Sequence, residues 1–188
     1  MTVSLTEQAK RWIAARLHPG DGAIDATVGN GHDTLFLASR VGEDGRVFAF
    51  DVQAEAIDRA RRRLRQAGLE HRVCWYLQGH QHLADAIPVA WKSRLRAAMF
   101  NLGYLPGGDK RRITQSDTTV PALEQAIDLV SPGGRITVIA YTGHPGGGEE
   151  ADNVRSWFGR QPSDLISWQQ VIPAGRRQPP QLFLIEKR

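Results

Sequence analysis

Cysteine is almost absent: the 188-residue chain has one, Cys74, so no disulfide can close within it. That excludes a small disulfide-stapled fold and suits a reducing cytosol, with Cys74 as a small core residue in an apolar strand pattern. Long hydrophobic runs are missing too; none approaches the ~20 residues that a membrane-crossing helix needs. The start, Met1-Thr2-Val3-Ser4-Leu5-Thr6-Glu7, has no basic segment leading into an apolar one. No secretory signal is expected, and the expected location is cytoplasmic. His32, His80, His82 and His144 lack metal-ligand spacing on a shared helix and have no Cys pair beside them, so no metal is expected. A G-x-S-x-G nucleophile elbow is also absent, which argues against hydrolase chemistry. Without repeats, low-complexity tracts or a linker, residues 1–188 read as a single domain.

What is present is ordinary for a globular protein, at 41% hydrophobic and 23% charged residues, except for the charge balance. A net charge of +4 and a pI near 9.6 suit an anionic partner such as RNA. Apolar periodicity predicts a helix over Leu5–Leu17, a strand at Gly22–Ile24 and a helix from Thr34 to about Arg40. Further on come a strand Arg46–Phe50, a helix Gln53–Gln66 with Gly68 as its C-cap, and a strand Arg72–Leu77. Leu83–Trp91 is a poorly defined helical or loop stretch. Leu95–Phe100 is a strand, Asp117 caps a helix over Thr118–Val130, Arg135–Tyr141 is a strand and Glu149–Phe158 a helix. Two strands, Asp164–Ile172 and Gln181–Glu186, finish the chain with no room for a helix between them. The alternation implies right-handed crossovers and a parallel sheet, and the closing pair is antiparallel. On the Gln53–Gln66 helix, Arg59, Arg61, Arg62, Arg63 and Arg65 read as a solvated face with Glu55–Arg59 and Asp58–Arg62 pairs, in preference to an RNA patch.

The stretch Ile24-Asp25-Ala26-Thr27-Val28-Gly29-Asn30-Gly31-His32-Asp33-Thr34 organises the rest. A strand entering a turn with Gly29 and Gly31 and leaving as a helix is the nucleotide-cofactor corner of a doubly wound sheet. Thr34 stands where a dinucleotide fingerprint needs its third glycine, and Asp25 and Asp33 would repel a pyrophosphate. A cofactor with a cationic centre and an amino-acid tail, S-adenosylmethionine (SAM), fits better than a nicotinamide. Asp51, ending the second strand, sits where either cofactor class needs a ribose-binding acid.

Ligands in such a sheet bind outside the carboxyl ends of the strands. Those ends carry Asp25-Ala26-Thr27, Asp51, His80, Asn101 and His144. An Asn carbonyl can accept hydrogen bonds from an amine and aim its lone pair at a sulfonium methyl. An aromatic at i+3, here Tyr104, can stack on the base bearing that amine. Asn101-Leu102-Gly103-Tyr104 thus resembles the Asn-Pro-Pro-Tyr motif of amino-group methyltransferases, with Leu-Gly for Pro-Pro. Lys110, Arg111, Arg112, Arg176 and Arg177 are the expected RNA-phosphate contacts.

Longer blocks extend the resemblance across nearly the whole chain: Asp25 to Ala38, Phe50 to Gln53, Ala98 to Lys110, Gly143 to Gly147 and Ile185 to Arg188. They resemble the small class I methyltransferases long labelled rRNA methylases, members of which are associated with methylation of 5-aminomethyl-2-thiouridine at the tRNA wobble position. The resemblance implies a Rossmann-like α/β fold, a seven-stranded, mostly parallel sheet with an antiparallel C-terminal strand. It implies SAM held by Asn30, Asp33, Asp51, Gln53, Gly79 and His80, beside the turn's own Thr27, Gly29 and Gly31. Asn101 and Tyr104 would face the acceptor amine, with Lys110 and His144 on the substrate side. The implied partner is the anticodon arm of tRNA, with no membrane, and a homodimer is allowed. Alternatives are an rRNA or other RNA amine as target, a non-catalytic RNA-binding protein and a nicotinamide dehydrogenase. The chain departs from the family at Gln78-Gly79-His80, where Asp-Ser-His is common, and at Arg177-Gln178-Pro179-Pro180-Gln181, where relatives tend to read Asn-Asn-Pro-Pro-Phe.

Overall fold

Near-continuous apolar strands must be covered on both faces, so alternating strands and helices close into three layers. The structure, a computed structural model, describes residues 3–103, 114–175 and 177–188. Strands β1 (Gly22–Asp25), β2 (Arg46–Asp51), β3 (Val73–Leu77), β4 (Leu95–Leu102), β5 (Arg135–Ala140), β6 (Ile166–Val171) and β7 (Gln181–Lys187) form one sheet in the order β3-β2-β1-β4-β5-β7-β6. Pairings from β3 through β5 are parallel, and β7 is antiparallel to both β5 and β6. The seven-stranded, mostly parallel sheet expected from the sequence is therefore the one that forms.

Residue alternation along the central strands sorts the core onto two faces. Phe48, Phe50, Ala98 and Phe100 point to the face covered by α4 (Leu83–Ala86), α6 (Ser116–Leu129) and α7 (Gly147–Gly159). Val47, Ala49, Ala97 and Met99 point to the other, covered by α1 (Leu5–Ala14), α2 (His32–Val41) and α3 (Ala54–Gln66). The stretch Leu83–Trp91 resolves into α4 and α5 (Val89–Lys92), split at Pro88, whose ring disfavours helix at the residue before it. Helix α1 stops at Ala14, short of Leu17, and Ser4 caps it by accepting from the Glu7 N–H at 3.2 Å. Helix α6 starts at Ser116, so Asp117 is not its cap but an acid in its first turn. Gly68 does close α3 at φ 70°, with the Leu69 N–H returning to the Leu64 carbonyl. Cys74 is half-buried.

The arginine face of α3 is wired differently from expectation. Glu70 takes Arg61 and Arg65, while Arg59 and Arg63 turn inward to Asn30 in the turn after β1. Neither Glu55–Arg59 nor Asp58–Arg62 pairs among the described residues. A two-point anchor on Glu70 and the turn offers better geometry than flexible i,i+4 pairs in water.

Candidate functional site

Five parallel strands ending on one edge leave a cleft at their carboxyl ends, with a volume of about 700 Å³. The turn after β1 forms one wall. Gly29 and Gly31 adopt φ 53° and 75°, values open to glycine, and a Cβ on Gly31 would lie 2.6 Å from the Ala60 Cβ of α3. Close approach of α3 is what demands glycine at 31. Arg63 Nε donates to the Asn30 carbonyl at 2.9 Å and locks the turn from behind. At the tip of β2, the two Asp51 oxygens accept from the Gly29 N–H and the Gln53 N–H, both at 2.9 Å. Each oxygen retains a lone pair for a ribose hydroxyl.

Beneath that wall lies a buried polar layer. Asp25 accepts from Thr34 Oγ1 at 2.5 Å and from the Thr27 N–H at 3.2 Å. Burial, reinforced by the neighbouring Asp33 charge, pushes its carboxyl up to about 7. Burial also raises Asp51, against the pull of its backbone N–H partners. His80 follows β3, and burial brings its imidazole down to about 4. Its Nδ1 faces the Ala26 carbonyl at 3.3 Å, which makes Nδ1 the protonated nitrogen, while Nε2 is buried with no hydrogen-bond partner among the described residues. An orphaned acceptor lining a cleft is a fitting contact for a donor on a bound ligand.

The opposite wall comes from β4 and β5. The Asn101 backbone N–H donates to Thr27 Oγ1 at 2.7 Å, and its side-chain Nδ2 donates to Asp33 Oδ2 at 2.7 Å. Lys10 reaches in from α1 to within 3.2 Å of the other Asp33 oxygen. Beyond Asn101, Gly103 and Thr114 are tied by two bonds, and buried Glu150 on α7 accepts from the hydroxyls of Thr114 and Thr119 at 2.8 and 2.7 Å. Tyr141, at the end of β5, pairs with Thr6 of α1 and lines the cleft.

Most expected residues converge here: Thr27, Gly29, Asn30, Asp33, Asp51, Gln53, Gly79, His80 and Asn101 all line the cleft. Gly31 supports the turn from behind. His144 is not among the described lining residues, though a Cβ added to Gly103, which lines the cleft, would come 3.5 Å from its Nε2. Tyr104, Lys110 and Arg176 lie outside the described residues, as do Arg111 and Arg112. Sequence reasoning missed Thr6, Lys10 and Tyr141. The i,i+4 spacing of Thr6 and Lys10 on one face of α1 was a signal, but no motif pointed that helix at the strand ends.

A seven-stranded sheet with this order, a cofactor turn after β1 and an acid ending β2 defines the class I methyltransferase fold. Residues 47–186 match the family model described as "Putative rRNA methylase", and the chain belongs to that family. The crystal structure of a "putative rRNA-methylase" from Clostridium thermocellum superposes with a TM-score of 0.94 at 38% identity, over the whole of both chains. A "putative methyltransferase" from Streptococcus mutans, solved in complex with SAH, gives 0.89 at 33% identity, also over both whole chains. In sequence, the chain is 42% identical over 159 residues to the chloroplastic tRNA (mnm(5)s(2)U34)-methyltransferase of Arabidopsis thaliana. That match takes in 80% of this chain and 57% of the plant protein, so the chain spans little more than half of that relative. No helix among the described residues is long and apolar enough to cross a membrane.

Proposed function

We propose that this chain transfers a methyl group from SAM to the primary amine of 5-aminomethyl-2-thiouridine at the tRNA wobble position. The observation that carries the reading is Asn101: a side-chain amide at the end of β4, braced by Asp33 and Thr27 on the wall facing the cofactor turn. The name of the plant relative and the SAH held by the streptococcal neighbour supply the substrate class and the cofactor.

The residues present fit SAM. Asp51 offers lone pairs to ribose hydroxyls, His80 Nε2 offers an acceptor in the buried layer, and the glycine turn lets the ligand lie against the main chain. Bound there, SAM supplies an electrophilic methyl group on a sulfonium centre. Asn101 directs its carbonyl oxygen at an amine N–H, which aims the nitrogen lone pair along the line of the breaking S–C bond. The amine first gives a proton to water to reach its neutral form; nitrogen then gains the methyl, the S–C bonding pair stays with sulfur as the thioether of SAH, and the product is the protonated secondary amine. An alkylamine is mostly protonated near neutrality, so only its neutral form is productive and the rate rises with pH until that form dominates.

The test is nucleoside mass spectrometry of tRNA bearing 5-aminomethyl-2-thiouridine after incubation with SAM and the protein. Appearance of the methylaminomethyl nucleoside supports the proposal. Methylation of rRNA but not of this tRNA moves the target to another RNA amine, and no methylation of any RNA sinks the reading.

A further inference from the structure

The sequence places Asp33 among the cofactor ligands, yet the structure spends one of its oxygens on the Asn101 amide and sets the other beside the Lys10 ammonium, with no hydrogen bond to it among the described residues. Oδ2 accepts from Asn101 Nδ2 at 2.7 Å, and Oδ1 lies 3.2 Å from Lys10 Nζ, with the Asp33 side chain only 7% exposed. A carboxylate can only accept, so it must meet the nitrogen of the Asn101 amide and leave the carbonyl for the other side. Thr27 Oγ1, accepting from the Asn101 N–H at 2.7 Å, fixes the backbone from which that amide projects. Lys10 is itself held, with its ammonium 5.6 Å from the centre of the Phe36 ring. Three elements distant in sequence (α1, the start of α2 and the end of β4) meet only to settle which end of one amide faces the cleft.

We propose that Asp33, kept in place by Lys10, is a positioning residue that holds the Asn101 amide with its nitrogen turned inward and its carbonyl presented to the acceptor. The value of Asn101 to the amine rests on the methyl-transfer reading above; the orientation itself does not. A desolvated ion pair is a costly way to stabilise a fold, and an apolar pair of similar size would serve packing as well. Its chemical distinction is that it accepts and never donates. Were position 33 an amide, its oxygen would turn to the Lys10 ammonium and its nitrogen to Asn101, forcing the Asn101 amide to flip and aim its donor at an N–H donor.

Asp33→Asn tests this, and the double variant Lys10→Glu/Asp33→Asn gives the rescue. In the double variant the new carboxylate at 10 takes the nitrogen of residue 33, whose oxygen again accepts from Asn101. Three readouts apply: kcat and KM on tRNA bearing 5-aminomethyl-2-thiouridine, SAH affinity by calorimetry, and side-chain amide resonances in protein labelled with 15N asparagine. Asn30, Asn101 and Asn153 are the chain's asparagines, and Asn101→Ala assigns its own pair by loss. Asp33→Asn is expected to lower kcat roughly 100-fold, with SAH affinity and KM little changed, and to abolish the downfield amide proton of Asn101. The double variant is expected to restore that proton and regain most of kcat. A tenfold loss of SAH affinity with unchanged kcat would make Asp33 a cofactor ligand and overturn the proposal. So would an Asn101 amide signal indifferent to Asp33→Asn, or a double variant with no recovery. Absence of methyl transfer by the wild-type protein would count against the substrate, and the amide spectrum still decides the orientation.

Discussion

The two walls of the cleft are built from different materials. On the β1–β2 side the fixing bonds run to the main chain: the Gly29 and Gln53 N–H groups to Asp51, and the Asn30 carbonyl to Arg63. On the β4–β5 side, beyond the main-chain ties of Asn101 to Thr27 and Gly103 to Thr114, they run between side chains, Asn101 to Asp33 to Lys10, and Thr114 and Thr119 to Glu150. A cofactor that is the same in every turnover suits a backbone cradle, which no rotamer change can disturb. An acceptor held by a few aimed polar groups needs side chains, whose identity sets what is recognised. The first wall should therefore fail through folding and binding, and the second through chemistry.

Gly31→Ala should break the first wall most severely. The added methyl would lie 2.6 Å from the Ala60 Cβ and 2.7 Å from its Cα, at a φ of 75° that L-residues rarely adopt. Backbone strain and overpacking against a helix together cost about 4 kcal/mol, a fall of on the order of 10 °C in Tm. Denaturant unfolding checks this, and wild-type stability in the variant would mean that α3 yields easily and the cradle is not rigid.

Asn101→Ala probes the second wall. Removing one well-placed transition-state hydrogen bond costs about 3 kcal/mol, so single-turnover methyl transfer at saturating SAM should drop roughly 100-fold while Tm and SAH affinity stay near wild type. Normal chemistry with lowered Tm would reduce Asn101 to a structural residue at the end of β4.

The same contrast explains what the sequence revealed. A backbone cradle demands glycine and a strand-ending acid at set spacing, so Gly29, Gly31 and Asp51 were legible in the sequence alone. Near-continuous apolar runs likewise announced the sheet, because both of its faces are buried. Side-chain constructions leave no such trace. Nothing near Lys10 or Glu150 in sequence announces a partner 23 or 31 residues away. Asp33 was read as a cofactor contact, and its bond to the Asn101 amide 68 residues away left no sign, since spacing locates a carboxylate but cannot say which side chain one of its oxygens meets. The arginines of α3 failed for a related reason: i,i+4 rules see only the helix itself, whereas Arg59 and Arg63 answer to the turn across from it.

Glu150→Gln sharpens the comparison further out on the second wall. One Thr hydroxyl would then face an amide nitrogen, can turn to accept from it, and must give up its present role as donor. The cost should be about 1 kcal/mol in stability, because rearrangement satisfies most of the bonds. Methyl transfer should fall with it if the Thr114–Gly103 tie helps to position Asn101, so an unchanged rate would confine this triad to packing.

The smallest expected effect is a cancellation, and it belongs to the first wall. His80 titrates near 4 when folded, against 6.5 when unfolded, so between those values the unfolded chain binds the extra proton and stability rises with pH. Asp25 titrates near 7 when folded, against 3.8 when unfolded, so over almost the same window the folded chain binds the extra proton and stability falls with pH. Each slope is about 1.4 kcal/mol per pH unit, and together they leave wild-type stability nearly flat between pH 4 and 6.5 as far as this pair governs it. Asp51, also raised by burial, adds to the falling side. Differences between variants and wild type remove its contribution and those of the exposed groups. Relative to wild type, Asp25→Asn should gain about 3 kcal/mol of stability as pH rises from 4 to 6.5, and His80→Gln should lose a similar amount over the same range. Urea unfolding of the three proteins across that range reads both signs. Parallel curves would mean that water reaches the layer beneath the cofactor turn and that burial there perturbs neither group.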